Sequence, residues 1–306
     1  MTDPRSVAVP EDDDFHPLDP SEWWQIETVW FAFTVPEKAL NCVIYLIIRP
    51  SMGVCALQVN IFDASGHEPW NNRYWRSLWH LPIPKSLRRL DMPEAGFRLD
   101  VVESLKEYRL RYEHANASFD VTWTALVPPR MSPGGDHIDQ FGRVRGELVL
   151  DGEHIAVDCY QMRDRSWKRR SDLEGRMGSY TYALASPQSA LLMTSTYDGD
   201  CAYAPAGTGW LLRDGRFSPL AEAVRRVTAR GPAGQPLSIE LEGRDEEGRD
   251  FFVSGQSVSR SVMHTSGNIL AWDSLMRWEL GGQSCWGEDQ DVMTPQSWGD
   301  FRTFGK

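Results

Sequence analysis

Short runs of β-branched and aromatic residues, separated by turn residues, follow one another along the chain from about residue 22. The clearest predicted strands in the first part of the chain are Trp23–Val35, Cys42–Arg49, Cys55–Phe62, Phe97–Val102, Tyr108–His114 and Phe119–Leu126. Helical periodicity is scarce, and Pro219–Thr228 is the one short helix that the pattern predicts. The sequence therefore predicts an all-β protein.

The same pattern of short strands continues in the second part of the chain. The predicted strands there are Val144–Leu150, Ile155–Met162, Ser179–Leu184, Leu191–Tyr197, Gly209–Leu212, Leu237–Glu242, Phe251–Gln256 and Ile269–Leu280. Asp151 and Gly152 form a strong hairpin signal, because this dipeptide suits a tight turn with positive φ at both positions. Many antiparallel strands without crossover helices are expected to close into barrels or sandwiches, since open sheets leave unpaired edges.

A proline-rich segment at residues 127–135 is the best candidate for a linker, because its prolines and glycines interrupt a strand ladder. We place a domain boundary there, which predicts an N-terminal domain at 21–130 and a C-terminal domain at 136–306. A chain of 306 residues is long enough for two cores. The first 20 residues are acidic and are predicted to form a flexible tail or a strap over the first barrel.

Charge and composition exclude several classes of partner. The formal net charge of -11 and the pI near 5.2 oppose binding to nucleic acid or anionic lipid. No apolar window approaches the roughly 18 residues of a membrane helix, and the N-terminus lacks the basic and apolar regions of a secretory signal. We therefore expect a cytoplasmic protein whose five scattered cysteines are reduced.

Motifs for metals and common cofactors are missing from the sequence. The seven histidines form neither HxH nor HExxH, so no metal site is predicted. There is also no GxSxG elbow, phosphate-binding glycine loop or dinucleotide fingerprint, and no cofactor is predicted. The 13 tryptophans are the unusual feature of the composition. Each one can be an ordinary core residue, but together they favour an aromatic-lined cavity for a hydrophobic small molecule.

The densest polar cluster spans residues 158–170, at the end of an apolar strand. With strand periodicity, Arg163, Arg165 and Trp167 continue the apolar face of the strand, while Tyr160 and Asp164 point the other way. The flanking arginines favour a charged Asp164, whereas burial favours the neutral acid. Asp164 is therefore either an anchor or an acid catalyst, and the alternative is a structural Arg–Asp network at a barrel rim.

A second group of candidate residues begins at His264. Trp272 and Trp278 share one face of a predicted strand, and Trp286 and Glu288 share a face after the Gly281-Gly282 turn. We expect the aromatic strip to neighbour Glu288, and a carboxyl beside tryptophans is a candidate acid with a raised pKa. The alternative is a solvated or salt-bridged glutamate at a strand end.

Three stretches carry a family resemblance: residues 137–148, the segment Arg163–Trp167, and the late Trp-Gly-Glu at Trp286–Glu288. In these the chain resembles the superfamily of carotenoid 1,2-hydratase (hydroxyneurosporene synthase) and AttH-like proteins, which is related to tocopherol cyclase and to lipocalin-like Diels-Alderases. Lys168 stands where many relatives have glycine after the tryptophan. The resemblance implies two lipocalin-like antiparallel barrel or sandwich domains in tandem.

The resemblance also implies redox-neutral chemistry without a cofactor, on an isoprenoid-like or polyketide-like substrate: hydration, cyclisation or isomerisation. Asp164 or Glu288 would then donate a proton to a double bond, and Trp167, Trp272, Trp278 and Trp286 would bind the substrate and stabilise positive charge. In a pericyclic reaction, Tyr160, His264 or Arg163 would matter more, as polar donors.

Two other functions are compatible with the same residues. A carrier for a hydrophobic metabolite would keep the cavity and use the polar clusters only for structure. A protein-interaction module would use the tryptophans as core and have no cavity larger than a few waters. Burial of Asp164 or Glu288 in an apolar cavity favours the enzyme over both.

Overall fold

The computed structural model describes residues 7–17, 25–169, 178–198, 201–205, 207–266 and 269–304. The chain divides into two compact units, of which the first comprises Met1–Ile61 with Arg73–Arg170 and the second Phe62–Asn72 with Ser171–Lys306. Each unit is built around one antiparallel sheet. The predicted fold class, two all-β units in tandem, is confirmed.

The first unit contains an eleven-stranded sheet that curls into a half-barrel. Its strands are β1 (Gln25–Val35), β2 (Leu40–Arg49), β3 (Val54–Phe62), β4 (Tyr74–Pro82), β5 (Arg89–Met92), β6 (Phe97–Glu103), β7 (Glu107–His114), β8 (Ala117–Ala125), β9 (Arg130–Met131), β10 (His137–Leu150) and β11 (Glu153–Arg169). The hydrogen-bonded order is β4-β3-β2-β1-β11-β10-β8-β7-β6-β5, and β9 pairs with β10. Arg76 on edge strand β4 donates to the carbonyls of Ala95 (2.9 Å) and Glu94 (3.2 Å), just after the other edge strand.

Burial along these strands follows their sequence patterns. β7 and β8 alternate between buried and exposed residues, so only one of their faces packs on the core. β1 and β2 are buried at nearly every position, on both faces. Inside the half-barrel, Phe31 packs against Tyr108 (ring centroids 5.5 Å apart) and Trp123 (6.4 Å). Short 3-10 helices at Pro10–Asp13, Pro36–Lys38, Pro50–Met52, Pro69–Asn71 and Pro93–Ala95 complete the elements before β6.

The predicted hairpin at Asp151-Gly152 joins β10 to β11. Both turn residues have positive φ, 54° and 80°, as the tight turn requires. The β10–β11 register runs without a shift from the His137–Ser166 pair to the Leu150–Glu153 pair. Strand periodicity therefore holds through the polar end of β11.

The division between the units differs from the predicted boundary at 127–135. β9 lies within that proline-rich segment and pairs with β10, and β11 lies between β10 and β1 in the first sheet. The first unit therefore extends to Arg170, and the predicted limits of 130 and 136 do not match it. Prolines break a ladder only locally, and pairing of β11 with the distant β1 has no signal in local composition.

The second unit contains a closed eight-stranded barrel. Its strands are β12 (Gly178–Ser186), β13 (Ser189–Asp198), β14 (Cys201–Pro205), β15 (Gly209–Arg213), β16 (Arg216–Arg230), β17 (Pro236–Asp245), β18 (Asp250–Ser266), β19 (Ile269–Leu280) and β20 (Gln283–Met293). Around the barrel the order is β12-β20-β19-β18-β17-β16-β14-β13, and pairing of β13 with β12 closes it. β15 pairs with both β13 and β16.

The predicted helix at Pro219–Thr228 is wrong, because the segment lies within β16. Its Ala, Glu and Arg residues favour a helix locally, but tertiary pairing overrides this preference. As a strand, the segment turns Ala223 and Arg225 toward the barrel interior, where both are buried.

Two apolar clusters occupy the barrel interior. The larger includes Met276 and Trp278, and the smaller includes Trp272 and Met293. Helix α1 (Pro295–Phe304) packs Trp298 on the smaller cluster and donates from its indole Nε1 to the carbonyl of Ala233 (2.9 Å). Within the described part of the chain, no helix has the length and apolar character needed to cross a membrane.

Candidate functional site

Two buried arginines on β11 lie on the inner face of the half-barrel. Arg163 donates from Nε to Gln140 (2.9 Å), lies 3.3 Å from Asp13 and places its guanidinium 4.2 Å from the ring centroid of Tyr108. Arg165 forms an ion pair with Glu27 and donates from Nη2 to the carbonyl of Asp14 (2.9 Å). Both side chains are only 2% exposed. Two cations inside a protein need carboxylates in contact, and both have them.

Residues 7–17 supply part of this network. The 3-10 helix Pro10–Asp13 buries Asp13, which accepts hydrogen bonds from the Tyr108 hydroxyl (2.8 Å) and the Leu105 amide (2.7 Å). His16 stacks on Trp167 with ring centroids 3.8 Å apart and donates its amide to Glu27 (3.0 Å). The N-terminus was predicted to form either a flexible tail or a strap, and residues 7–17 form a strap.

The network keeps the Glu27 carboxylate charged. Burial by itself raises the pKa of Glu27, but the hydrogen bonds from His16 and the charge of Arg165 outweigh burial, so the pKa lies below its ordinary value. A permanently charged carboxylate is a poor proton donor. This network therefore fits the structural alternative, an arginine–carboxylate network inside the barrel.

Asp164 lies on the opposite face of β11. It pairs with Trp30 on β1 and with Asp139 on β10, and Asp139 contacts His137 (Oδ1 to Nε2, 2.7 Å). Strand alternation places Arg163 and Arg165 on the other face of β11, and the charge of Asp164 stays a prediction. Tyr160 shares the face of Asp164, and its ring lies 5.7 Å from the guanidinium of Arg143.

The inner face of the second barrel carries its own buried ion pairs. Arg225 donates from Nε and Nη2 to the two carboxylate oxygens of Asp289 (2.8 and 2.7 Å) and lies 3.2 Å from Asp291. Arg230 contacts Asp291 at 2.7 Å, and Thr181 donates to Asp289 at 2.6 Å. These bonds tie β16 to β20 across the interior.

A pair of carboxyl groups lies on the outer face of the barrel wall. Asp273 on β19 is opposite Gln290, and Glu288 on β20 is opposite Leu275, so the two carboxyls are diagonal neighbours on one face. Both side chains have zero exposure. Within the described residues, neither oxygen of Asp273 has a hydrogen-bond partner.

The surroundings of this carboxyl pair favour the protonated form of Asp273. Burial, and then the charges of Glu288 and Asp289, raise the pKa of Asp273 well above its ordinary value. Burial and mutual repulsion favour a proton on one carboxyl of such a pair, and the other can then serve as a base. Ser261, opposite Asp273 on β18, places a hydroxyl on the same face and accepts a hydrogen bond from Asn72 (2.7 Å).

The predicted residues of the second unit divide between the two faces of the barrel. Trp272 and Trp278 are buried in the interior, opposite Asp291 and Cys285, whereas Glu288 faces outward. The expectation that the aromatic strip neighbours Glu288 is wrong for this reason. Trp286 is half-buried and shares the face of Glu288, two residues away. The side chain of His264 lies outside the described residues.

Sequence analysis missed Asp273. A signal was present, because Asp273 and Ser274 interrupt an otherwise apolar run in β19 whose residues are buried on both faces. The buried partners of the arginines, Asp13 and Glu27, were also missed, since each comes from a distant segment. No group of three or more His, Cys, Asp or Glu side chains in the described ranges is arranged to hold a metal.

Solved structures with the same fold include two whose alignments cover nearly the whole chain. An AttH-like protein of Nitrosomonas europaea (NE1406) aligns with a TM-score of 0.67 and 14% identity, covering 94% of this chain and 97% of that chain. Kievitone hydratase from Nectria haematococca aligns with a TM-score of 0.58 and 11% identity, covering 96% and 97%. At these identities the likeness shows the fold.

The fold comparison confirms the resemblance to AttH-like proteins at the level of architecture. Kinship with carotenoid 1,2-hydratase and tocopherol cyclase stays a prediction. No curated protein matches the sequence. A family model matches residues 9–289, and the chain therefore belongs to the family described as Domain of unknown function (DUF7064).

Proposed function

We propose that this protein catalyses a redox-neutral, proton-dependent reaction on a hydrophobic small molecule, with the carboxyl pair Asp273–Glu288 as its acid and base. The observation that carries the proposal is the complete burial of both carboxyls as neighbours on one face. A protonated carboxyl away from water is the group that alkene hydration, cyclisation and isomerisation all need.

In a hydration, the protonated carboxyl transfers its proton to one alkene carbon and becomes a carboxylate. Water adds to the other carbon, and the second carboxyl takes the proton that this water loses. The net change is addition of one water, and proton exchange within the pair restores the starting state. Isomerisation uses the same two transfers without water, since the base removes a proton from a carbon next to the cation.

Several features support an apolar substrate. Leu275 lies opposite Glu288, and the ring of Trp286 lies on the same face, where an aromatic group stabilises developing positive charge. Fold similarity to kievitone hydratase adds support for a hydratase, at 11% identity. Because both carboxyls are fully buried, a substrate has to displace the groups that cover this face.

Product analysis by mass spectrometry tests the proposal. The wild type is incubated with a panel of linear terpenoids and polyene acids, and compared with Asp273→Asn, Glu288→Gln and Asp164→Asn. Glu279→Gln, an exposed carboxyl on the same strand as Asp273, is the matched control. We expect a product heavier by one water, or an isomer of equal mass, that is lost in Asp273→Asn and Glu288→Gln and kept in the control.

Other outcomes overturn the proposal. Loss of product in Asp164→Asn alone assigns the acid to the first unit, beside Trp30 and Asp139. Tight binding of panel members without turnover by any form of the protein shows a carrier.

A further inference from the structure

A row of inward-facing polar side chains crosses four strands of the second barrel. Thr181 on β12 is opposite Asp289, Asp289 is opposite Ser274, and Ser274 is opposite Arg260 on β18. Thr181 and Asp289 are hydrogen bonded to each other, and Arg225 neutralises Asp289. At the other end of the row, the Arg260 guanidinium and the Ser274 hydroxyl have no comparable partners among the described residues.

Arg260 is half-buried and has no carboxylate within ion-pair distance in the part of the chain that the structure describes. Its guanidinium donates only to Ser257, from Nε to Oγ (2.9 Å) and from Nη2 to the carbonyl (3.1 Å). A guanidinium has five N–H donors, so most of them remain available. The adjacent Ser274 is completely buried, and its hydroxyl has no hydrogen-bond partner among the described residues.

The charges of this inner face are unequal. Arg225 and Arg230 contact the carboxyls of Asp289 and Asp291, whereas Arg260 contacts no carboxyl among the described residues. A cation withdrawn from water without a counter-charge is unfavourable. An anion beside Arg260 and Ser274 removes both the unpaired charge and the unsatisfied hydroxyl.

The barrel wall is interrupted next to Arg260. The β17–β18 ladder ends at the pair Ser238–Gln256, and β18 continues for ten more residues. A bulge follows between Ser257 and Ser259. Backbone groups of β18 just beyond Gln256 therefore lack β17 partners, and further along the strand the amide of Val262 donates to the carbonyl of His67 (3.0 Å).

Apolar side chains flank Arg260 on the inner face. Val262 lies opposite Trp272 on one side, and Ser257 lies opposite Met276 on the other. These neighbours favour an anionic group attached to an apolar body over a fully hydrated anion such as phosphate. Interiors of eight-stranded barrels are either filled by side chains or hold one small ligand.

We propose that the second barrel binds the carboxylate of an apolar organic acid at Arg260 and Ser274. The guanidinium donates through its free N–H groups, and the serine hydroxyl adds a second kind of contact. This site lies on the inner face of the wall, whereas Asp273 and Glu288 lie on the outer face. The inference therefore goes beyond the proposed acid catalysis and does not depend on it.

Calorimetric titration with matched probes tests the site. Octanoate and 1-octanol share a chain and differ in charge, and inorganic phosphate supplies charge without an apolar body. We expect the wild type to bind octanoate about tenfold or more tightly than 1-octanol, because hydrogen bonds to a charged group are worth more than neutral ones. Phosphate binding is expected to be much weaker than octanoate binding.

Variants test whether Arg260 recognises the octanoate carboxylate. Arg260→Gln is expected to bind octanoate no better than 1-octanol, while Arg260→Lys, which keeps the charge, retains part of the preference. Arg216→Gln removes an arginine that is 70% exposed and is the matched control. Asp273→Asn is expected to keep the octanoate preference, which separates this site from the proposed catalytic pair.

Three results overturn the inference: no octanoate binding by the wild type, equal octanoate binding by the wild type and Arg260→Gln, or phosphate binding as tight as that of octanoate. If Arg260→Gln does not fold, the comparison of Arg260→Lys and Ser274→Ala with the wild type decides in its place. Unchanged octanoate affinity in both of those variants contradicts the assignment.

Discussion

Asp273 and Glu288 are diagonal neighbours on β19 and β20, and both carboxyl side chains are completely buried. Isolated buried charges are costly, and the usual response of a carboxyl is to keep its proton. Asp289 adds a further negative charge behind the pair. The fold, rather than the solvent, therefore sets the protonation state of this face.

The raised pKa of Asp273 predicts a particular dependence of stability on pH. A carboxyl whose pKa is higher in the folded state stabilises the fold at low pH, and this contribution disappears as the pH rises through the folded pKa. Asp273→Asn removes the group that must ionise. We expect this variant to exceed the wild type in free energy of unfolding by about 1 to 3 kcal/mol at pH 8.

Urea unfolding at several pH values measures this difference. Asp214→Asn, at an exposed turn, is the control and should follow the wild type at every pH. A wild-type protein and an Asp273→Asn variant that differ by the same amount at pH 4 and pH 8 contradict the prediction.

Two adjacent arginines of β16 should respond very differently to substitution. Arg225 is completely buried and neutralises Asp289, whereas Arg226 is 41% exposed in an ion pair with Glu242. Removing one partner of a buried pair leaves an uncompensated charge and costs about 3 to 5 kcal/mol, but exposed pairs contribute about 0 to 1 kcal/mol. Chemical denaturation of Arg225→Ala and Arg226→Ala should show this contrast, and similar losses in both variants count against it.

The strap network predicts acid sensitivity of the first unit. Glu27 has a lowered pKa, so its stabilising contribution is present above the ordinary pKa near 4.5 and is lost as the pH falls through the folded value. Glu27→Gln leaves Arg165 unpaired and should cost about 3 kcal/mol at pH 7. The difference from the wild type should shrink below pH 4.

Glu153→Gln is the control for this prediction, because Glu153 is 52% exposed in its pair with Lys38. We expect little change in this variant at any pH. A Glu27→Gln protein as stable as Glu153→Gln at pH 7 shows that the strap contacts do not contribute.

Gly255 makes room for the ring of Trp278. A Cβ at this position lies 2.1 Å from Cε3 of the indole, closer than any real contact. Gly255→Ala should therefore cost about 1 to 3 kcal/mol by overpacking. Gly299→Ala, with no atom near its Cβ, should be neutral or stabilise α1 by up to about 1 kcal/mol. Thermal unfolding of the two variants provides the comparison.

Local patterns were enough to predict most of the strands and the faces of β11. The alternation that turns Arg163 and Arg165 inward, and Tyr160 and Asp164 outward, is present in the sequence and holds because the β10–β11 register has no shift. The Asp151-Gly152 turn was equally predictable, since its geometry depends on two residues alone.

Long-range pairing was not predictable in the same way. β11 joins the first sheet by pairing with β1, more than a hundred residues earlier, and this placed the end of the first unit beyond the proline-rich segment. Ion-pair partners were not predictable either, because Arg165 contacts Glu27 only once the sheet has brought their strands together. Which residue of β19 lies beside Glu288 depends on the β19–β20 register, and the periodicity of a single strand does not predict that register.

Infrared titration reports whether the Asp273–Glu288 pair holds a proton, since the carbonyl stretch of a protonated carboxylic acid is distinct from that of a carboxylate. We predict that the wild type keeps a protonated buried carboxyl at pH 7, that Asp273→Asn or Glu288→Gln changes this band, and that Glu279→Gln leaves it unchanged. Absence of a protonated carboxyl band from the wild type at pH 7 contradicts the proposed function, because the Asp273–Glu288 pair then holds no proton to donate.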